Sequence, residues 1–503
     1  MPMFPAWRPD AYSLGTGFAR DVSGVLPGTG GWAPWPGLEA LGSAVAAAVR
    51  GAFIARSSAG EPVIFAATAT ALWKWAGIGS AWTDVTRTVG GAYALGTDGS
   101  WDWAQFGDTV IAVNGADAPQ YYTLASSTDF ENLAGSPPSA AKRVQVVGDH
   151  IWLMDFTTAL GPSGIMPNGR AQIAWSGFRD FDYWTVGQKS ASFATFPTGG
   201  FVQAATTQLA GIVLLERGIW RYAKDSIKIF DFAPVLEGQG TASPHSVIQH
   251  ESSAIFYGTD GFARVGADGV QQIGSEWVDN WALENFNQTR LKQIIGTLDP
   301  VRMRCYWAYP NSGNTTSYLH NGIVCFDMLN QEKPWSKADI ETEFVFSGAT
   351  PGATLTDLTT LYTTLAWVEA AGFTMGSDAF LGGAPRVACF DAAHKMAFFS
   401  GGNVRAMAQT AEFVPIPGQR FYTNGFRVMG DAAAATGRVA VTERPQGDLT
   451  WTASQPLTAQ GYIPARASGK IMVNEVTIPA DEPWTFLSGV AHEGDDIIPD
   501  GSR

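Results

Sequence analysis

SWDWAQFGDTVIAVNG, residues 100–115, holds two short extended runs joined at Gly107-Asp108. In the first run Trp101 and Trp103 fall on one face; in the second, Val110, Ala112 and Asn114 alternate with Thr109, Ile111 and Val113. Successive side chains of a strand point to opposite faces, and glycine adopts the backbone conformation that a tight turn demands. A period of two, a Gly-Asp turn and a closing Asn-Gly therefore predict an antiparallel hairpin. A lone hairpin buries too little apolar area to stand in water, so this one must stack against others.

The same cadence recurs. RGAFIARSSAGEPVIFAATATALWKWAGIGSAWTDVT (50–86) carries strand-like runs at 52–56, 62–67 and 70–75 and ends on Trp82-Thr83-Asp84. The hairpin unit continues through PQYYTLASS to TDFENLAG, and a third unit runs from AKRVQVVGDHIWLMDF through RAQIAWSGF to RDFDYWTVG. Three more follow: QLAGIVLLERGIWRYAKDSIKIFDFAP, SSAIFYGTDGFARVGADGVQQIGSEW, and the stretch from PVRMRCYWAYP to Trp335. Taking Trp82, Phe130, Trp184, Phe232, Trp277 and Trp335 as closing aromatics, the units repeat every 45 to 58 residues or about that, the length of a four-stranded propeller blade with variable loops. A radial array packs each sheet between two neighbours and leaves only short edges exposed. An array of β-sandwiches would use the same alternation; the repeat length favours the propeller.

The expected fold is therefore all-β: a β-propeller of about six or seven blades plus a C-terminal β-sandwich-like domain. Residues 52–406 form the propeller, with an inserted loop at 347–380 around TLTDLTTLYTTLAWVEAAGFTMG; the neighbouring hairpin PRVACFDAAHKMAFFSGGNVRAMAQT supplies a further blade or closes the ring with N-terminal strands. From about Met407 the chain reads as seven or so short strands with Gly and Pro turns, giving a sandwich over 407–503. Residues 1–51, rich in Pro, Gly and Trp, read as an extended arm with one short helix, the Ala-rich candidate spanning about Leu38 to Ile54.

Bulk properties narrow the function. The 503 residues include 57 Gly, 28 Pro, 19 Trp and 29 Phe but only 16% charged residues, a balance suited to many short strands and turns. The net charge of −14 repels phosphate backbones, which argues against reading DNA through a basic groove. Cys305, Cys325 and Cys389 are odd in number and far apart, predicting buried thiols instead of disulfides or a metal knuckle. MPMFPAWRPDAYS lacks a basic region followed by an apolar core, so no secretory signal is expected, and the Leu38–Ile54 run is too short and weakly apolar to span a bilayer.

No catalytic constellation stands out. There is no metalloprotease His-Glu pairing at helical spacing, no phosphate-binding Gly-rich loop ending in Lys-Ser/Thr, and no nucleophile elbow; GPSG and FSGG read as turns. His150, His245, His250, His320, His394 and His492 are dispersed, with His245 and His250 in SPHSVIQHES, a link into a strand. GTDGSW (96–101) and GTDGFA (258–263) resemble sialidase turns only in their Asp-Gly, which a hairpin explains through its positive-φ positions. Asp180 and Asp182 are a pair of acids of the kind glycoside hydrolysis uses, but so common at strand ends that they carry little weight. Trp73, Trp75, Trp101 and Trp103 could stack on sugars, yet their alternation favours burial between blades. No enzyme activity, cofactor or metal is expected.

The order of these segments resembles a known family. A Pro/Gly/Trp arm leads to ALWKWAGIGSAWTDVT, SWDWAQFGDTVIAVNGADAPQYY, TDFENLAGSPPSAAKRVQVVGDHIWLM and AWSGFRDFDYW, then LLERGIWRY and SPHSVIQHESSAIFYGTDGFARV. This succession resembles tail structural proteins of tailed bacteriophages, in particular the β-propeller nozzle or hub proteins of short-tailed phages, also called packaged-DNA stabilisation proteins. The closing YIPARASGKIMVNEVTIPADEPWTFLSGVAHE is similar to a segment of such proteins in which Arg commonly follows the Ser-Gly; here Lys470 stands there. The resemblance implies a homo-oligomeric ring of six subunits in the virion tail, made in the host cytoplasm. The ring would lie below the portal and its adaptor proteins, form the distal DNA conduit, pass double-stranded DNA without sequence preference, and dock a needle, tail fibres or tailspikes. An acidic wall suits such a conduit, since it does not grip a polyanion. Trp7, Trp32 and Trp35 of the arm, and Leu361 and Tyr362 of the insertion, are the expected oligomer or partner contacts. The alternatives are a tail adhesin that binds host glycan and, further off, a propeller-fold glycan hydrolase.

Overall fold

The computed structural model describes residues 4–11, 14, 17–58, 60–75, 81–161, 168–316, 318–349, 385–492 and 497–499. Seven four-stranded antiparallel sheets follow one another as blades. Blade one comprises Gly51–Arg56, Pro62–Ala67, Leu72–Trp75 and Trp82–Asp84, and blade two Asp102–Phe106, Thr109–Val113, Gln120–Thr123 and Glu131–Asn132. Blade three comprises Arg143–Val147, His150–Met154, Gln172–Trp175 and Ser192–Thr195, and blade four Val202–Ala205, Ala210–Leu215, Gly218–Asp225 and Ile229–Glu237. Blade five comprises Ile248–His250, Ser253–Gly258, Gly261–Gly266 and Gly269–Gln272, and blade six Ile295–Asp299, Arg304–Tyr309, Gly322–Asp327 and Trp335–Ala338. The innermost strand of each blade lines a central channel, and the seventh blade's meets the first's, so the ring closes.

Blade seven takes Phe344–Ala349, Pro385–Phe390 and Lys395–Asn403 from late in the chain and its outermost strand, Pro36–Ala44, from early in it. Lys395 pairs with Ala44 and Asn403 with Pro36. The expected helix over Leu38–Ile54 is thus corrected: Pro36–Ala44 and Gly51–Arg56 are strands. The alanine content that favours a helix is overridden by a ladder of backbone hydrogen bonds to Lys395–Asn403. The expected extended arm is corrected as well. Asp21–Ser23, Val25–Gly28 and Gly31–Pro34 are strands of the sandwich, not a free tail.

The hairpin at 102–113 shows why period-two patterning builds this ring. Phe106 pairs with Thr109 across Gly107-Asp108, and Gly107 sits at φ 59°, a left-handed value that costs glycine little. All five residues of Thr109–Val113 are buried. Val110 and Ala112 join Phe65, Leu72, Trp101 and Trp103 between blades one and two, whereas Ile111 and Val113 join Ile151, Leu153 and Trp184 between blades two and three. One strand thus feeds two separate cores, one per face.

The closing aromatics mark the repeat more faithfully than its edges. Trp82, Phe232 and Trp335 lie in outermost strands, Phe130 precedes one, Trp277 follows one, and Trp184 lies before Ser192–Thr195, beyond the expected end of the third unit. Of the expected insertion, 347–349 belong to the strand Phe344–Ala349, and 350–380 lie outside the described residues. FSGG is part of the strand Lys395–Asn403, where the pairing shifts register, while most of GPSG lies outside the described residues.

The C-terminal part of the sandwich begins at Ala406. One sheet orders Asp21–Ser23, Ala406–Gln409, Ile471–Ile478, Thr436–Thr442 and Thr450–Trp451, with Gln455–Pro456 also pairing to Thr436–Thr442. The other orders Val25–Gly28, Gly31–Pro34, Leu487–Ala491, Phe426–Gly430 and Tyr462–Ile463. A third, of three strands, joins Ala467–Gly469, Phe421–Thr423 and Ile497–Pro499. Sandwich and propeller share one apolar core: Val22, Trp32, Val439, Met472 and Val490 pack in the same cluster as Tyr257, Phe262, Trp307 and Trp335 of blades five and six. Polar ties run along the outer edge of blade six, where Lys337 Nζ lies 2.9 Å from Asp21, Gly24 donates to the Lys337 carbonyl at 2.9 Å, and Arg304 reaches the Pro27 carbonyl at 2.6 Å.

Candidate functional site

The residues expected to contact partners are placed differently by the fold. Trp7 and Trp32 are 0% exposed and Trp35 is 1% exposed, so none of them offers a surface. Trp7 packs edge-on against Trp281 with ring centroids 4.9 Å apart, and Trp35 meets Tyr306 at 5.6 Å. The interface expectation for these three is corrected. Trp32 lies on a strand of its own chain's sandwich and Trp7 and Trp35 beside such strands, where large rings gain more by filling the core than by facing water. Leu361 and Tyr362 lie outside the described residues. Trp75, Trp101 and Trp103 are buried and Trp73 is half-buried; Trp101 donates its indole N–H to the Thr68 carbonyl at 2.9 Å.

The histidines serve separate local bonds. His150 Nδ1 lies 2.8 Å from the Ser176 carbonyl, and His320 sits between the carbonyls of Thr342 (3.0 Å) and Gln293 (2.6 Å). Burial holds both imidazoles below their usual range. Asp180 pairs with Lys189 at 2.8 Å, while burial raises the Asp182 carboxyl. The three cysteines are buried and free, and burial pushes each thiol up, Cys325 to about 12, leaving them protonated and unreactive. Among the described residues no group of three or more His, Cys, Asp and Glu could hold a metal. No helix among them is long and apolar enough to cross a membrane. The two Asp-Gly turns differ: at 258–263 Gly261 has φ 116°, whereas in 96–101 the turn closes through Gly99 N–H to the Gly96 carbonyl without a positive φ.

Polar side chains converge instead at one mouth of the propeller channel. The channel holds a cavity of about 410 Å³ lined by innermost strands from Phe53 to Phe346. A second cavity of about 320 Å³ lies at its mouth, bordered by residues that enter or leave strands of blades two to six, and the two share Arg143, Pro244 and His245. Arg143 Nη1 lies 2.5 Å from His245 Nε2. Burial, joined by the neighbouring guanidinium, holds His245 well below the ordinary imidazole range, so the ring is neutral and its Nε2 accepts. Asp102, which accepts the Val144 N–H at 2.9 Å, has its carboxyl raised by burial. Asp155 takes Lys142 at 3.2 Å and Arg170 at 2.8 Å, and the Arg170 guanidinium lies 3.9 Å from the centroid of the Phe201 ring. Lys142 is held below the usual lysine range by burial, with Asp155 opposing and the charges of Arg170 and Lys292 adding to the effect. Four cations thus meet three acids, Asp98, Asp155 and Glu216, around one hollow in an otherwise acidic protein. The arrangement can hold a small anion.

No protein-family model matches the chain, and no curated protein sequence matches it. Among solved structures it is similar to the computationally designed Ika8 protein, at 7% identity and a TM-score of 0.37, over 77% of this chain and 99% of that one. It is also similar to the N-terminal domain of Nup159 (9% identity, TM-score 0.34, 79% of this chain and 95% of that one) and to YCF48 bound to D1 peptide (10%, 0.36, 63% and 93%). At these identities the likeness is one of fold.

Proposed function

We propose that this chain is a structural subunit of a phage tail, one copy in a ring of six that forms the distal nozzle or hub. It lies below the portal adaptor, guides and retains packaged double-stranded DNA, and docks fibres, spikes or a needle. The observation that carries the reading is the weave of the chain's beginning and end. Residues 21–34 complete the sandwich, Pro36–Ala44 completes blade seven, and a common core joins the two parts, giving a stiff body without hinged domains. A net charge of −14 keeps its surface from gripping DNA. The order of sequence segments shared with nozzle proteins adds to this.

The propeller's own channel, with a cavity of about 410 Å³, has the volume of a small-molecule site, so DNA passes between subunits and not through one of them. Burial of Trp75, Trp101 and Trp103 weighs against the glycan-binding alternative, which needs exposed rings. Mass photometry and negative-stain imaging of the purified chain, alone and with portal and adaptor proteins of the same phage, test the proposal. Rings that cap the adaptor are expected. A chain that stays monomeric beside both proteins would overturn it.

A further inference from the structure

The geometry points to the channel mouth as a binding site for a compact oxyanion, a carboxylate or a phosphate, held by Arg143, Lys142, Arg170 and Lys292. Three observations carry this. First, the Arg143 guanidinium carries five N–H donors and hydrogen-bonds the neutral His245 Nε2 at 2.5 Å, while the carboxylates of Asp102 and Asp155 act on it through space. A guanidinium enclosed by protein is best matched by the paired oxygens of an oxyanion, and the imidazole occupies one position such an oxygen would take. Second, the hollow's own lining sets four cations against three acids: Asp155 is shared between Lys142 and Arg170, while Asp98 accepts from Gln293 at 3.3 Å and Glu216 accepts the Phe201 N–H at 3.3 Å. Asp102 faces Arg143 from the channel side, where burial raises its carboxyl, and Lys292 has no ion pair among the described residues. Third, the hollow of about 320 Å³ opens onto the channel through Arg143 and His245, so the ligand is drawn into a concave pocket and not onto an open face.

The four cations come from three places in the chain: the start of blade three, the turn before its third strand, and the turn entering blade six. An occupant therefore ties those blades together across the mouth. This site is independent of the ring proposal, since it lies within one chain.

Isothermal titration calorimetry of the full chain with inorganic phosphate and, separately, with citrate, at constant ionic strength set by sodium chloride, tests the inference. Saturable binding of either ion is expected, with the tighter one assigning the ligand as phosphate or carboxylate. Lys292→Gln, at an exposed position, should weaken it about tenfold, and Arg143→Gln at least as much, the scale of one charge-assisted hydrogen bond. Circular dichroism confirms that each variant is folded; should Arg143→Gln fail to fold, Lys292→Gln alone decides. Absence of saturable heat with both ions, or binding unchanged in the folded variants, would overturn the assignment.

Discussion

The Nδ1 of His394 lies 2.6 Å from Oε1 of Glu343, joining the start of blade seven's innermost strand to the turn before its third. The other carboxylate oxygen of Glu343 accepts the N–H of Val49 at 2.9 Å, and the N–H of Val45 donates to the His394 carbonyl, also at 2.9 Å. The linker from the N-terminal strand into blade one is thus pinned to the turn between the second and third strands of blade seven. Together with the Pro36–Ala44 ladder, this joint holds the first and seventh blades to one another.

Removing the carboxylate should therefore cost more than its size suggests. Glu343 is 6% exposed and Val49 is fully buried, so Glu343→Ala leaves a buried N–H without an acceptor and His394 without its partner. The expected loss is about 2–4 kcal/mol, read as a lower urea midpoint. Glu343→Gln keeps an oxygen for Val49 and should lose less. Equal midpoints for wild type and the alanine variant would show that the joint does not hold the ring.

Asp279 gives the chain a pH dependence of definite sign. Its Oδ1 accepts the Phe262 N–H at 2.9 Å, and burial raises its carboxyl to about 6, with Asp10 and Asp260 adding repulsion. Its ordinary value is 3.8, so the folded state binds this proton more tightly than the unfolded chain does. The resulting stabilisation is full below pH about 4, is lost as pH rises through about 6, and leaves a cost on the order of 2–3 kcal/mol at neutral pH. Asp279→Asn, which retains an oxygen for Phe262, should melt no lower than wild type at pH 7 and show a flatter profile between pH 4 and 6. Parallel melting profiles would contradict this.

The alternation of Thr109–Val113 was legible because a strand buried on both faces must be apolar throughout, and its flanking Gly-Asp and Asn-Gly mark the turns. The N-terminal strands were not legible. Asp21–Ser23 spans three residues, too short to show a period, and its partner is Gln409–Met407 in the distant sandwich. Pro36–Ala44 was misread because, as an outer edge strand, it carries small and polar residues that satisfy a helical pattern equally well. The channel mouth was hidden for another reason. Lys142-Arg143, Arg170, His245 and Lys292 are unremarkable locally and become a cluster only when blades three, five and six are set around one axis. The one local signal was a Lys-Arg pair opening a strand in a chain with few cations.

Trp32 separates packing from assembly. It is 0% exposed within the core shared by sandwich and propeller, and its indole N–H has no hydrogen-bond partner. Trp32→Ala should destabilise the monomer by about 3–5 kcal/mol, whereas Trp32→Phe, which forfeits no hydrogen bond, should lose well under half of that. Denaturation curves measure both. A Trp32→Ala chain with unchanged stability but impaired ring formation would restore this side chain to the interface.

Two glycines with similar backbone angles should respond very differently to the same substitution. Gly107 has φ 59° with open space where a Cβ would stand. Alanine there meets only the left-handed strain of an L-residue, about 1–2 kcal/mol. Gly135 has φ 74°, and a Cβ built on it would lie 1.6 Å from the Asp182 carbonyl oxygen, a backbone atom that no side-chain rotation can move. Gly135→Ala must displace the loop between the second and third blades' outer parts, and a loss several times that of Gly107→Ala is expected. Thermal melts of the two variants side by side check it. Similar losses would mean that the 181–183 segment yields freely, and that the close approach of Gly135 to Asp182 does not fix the loop.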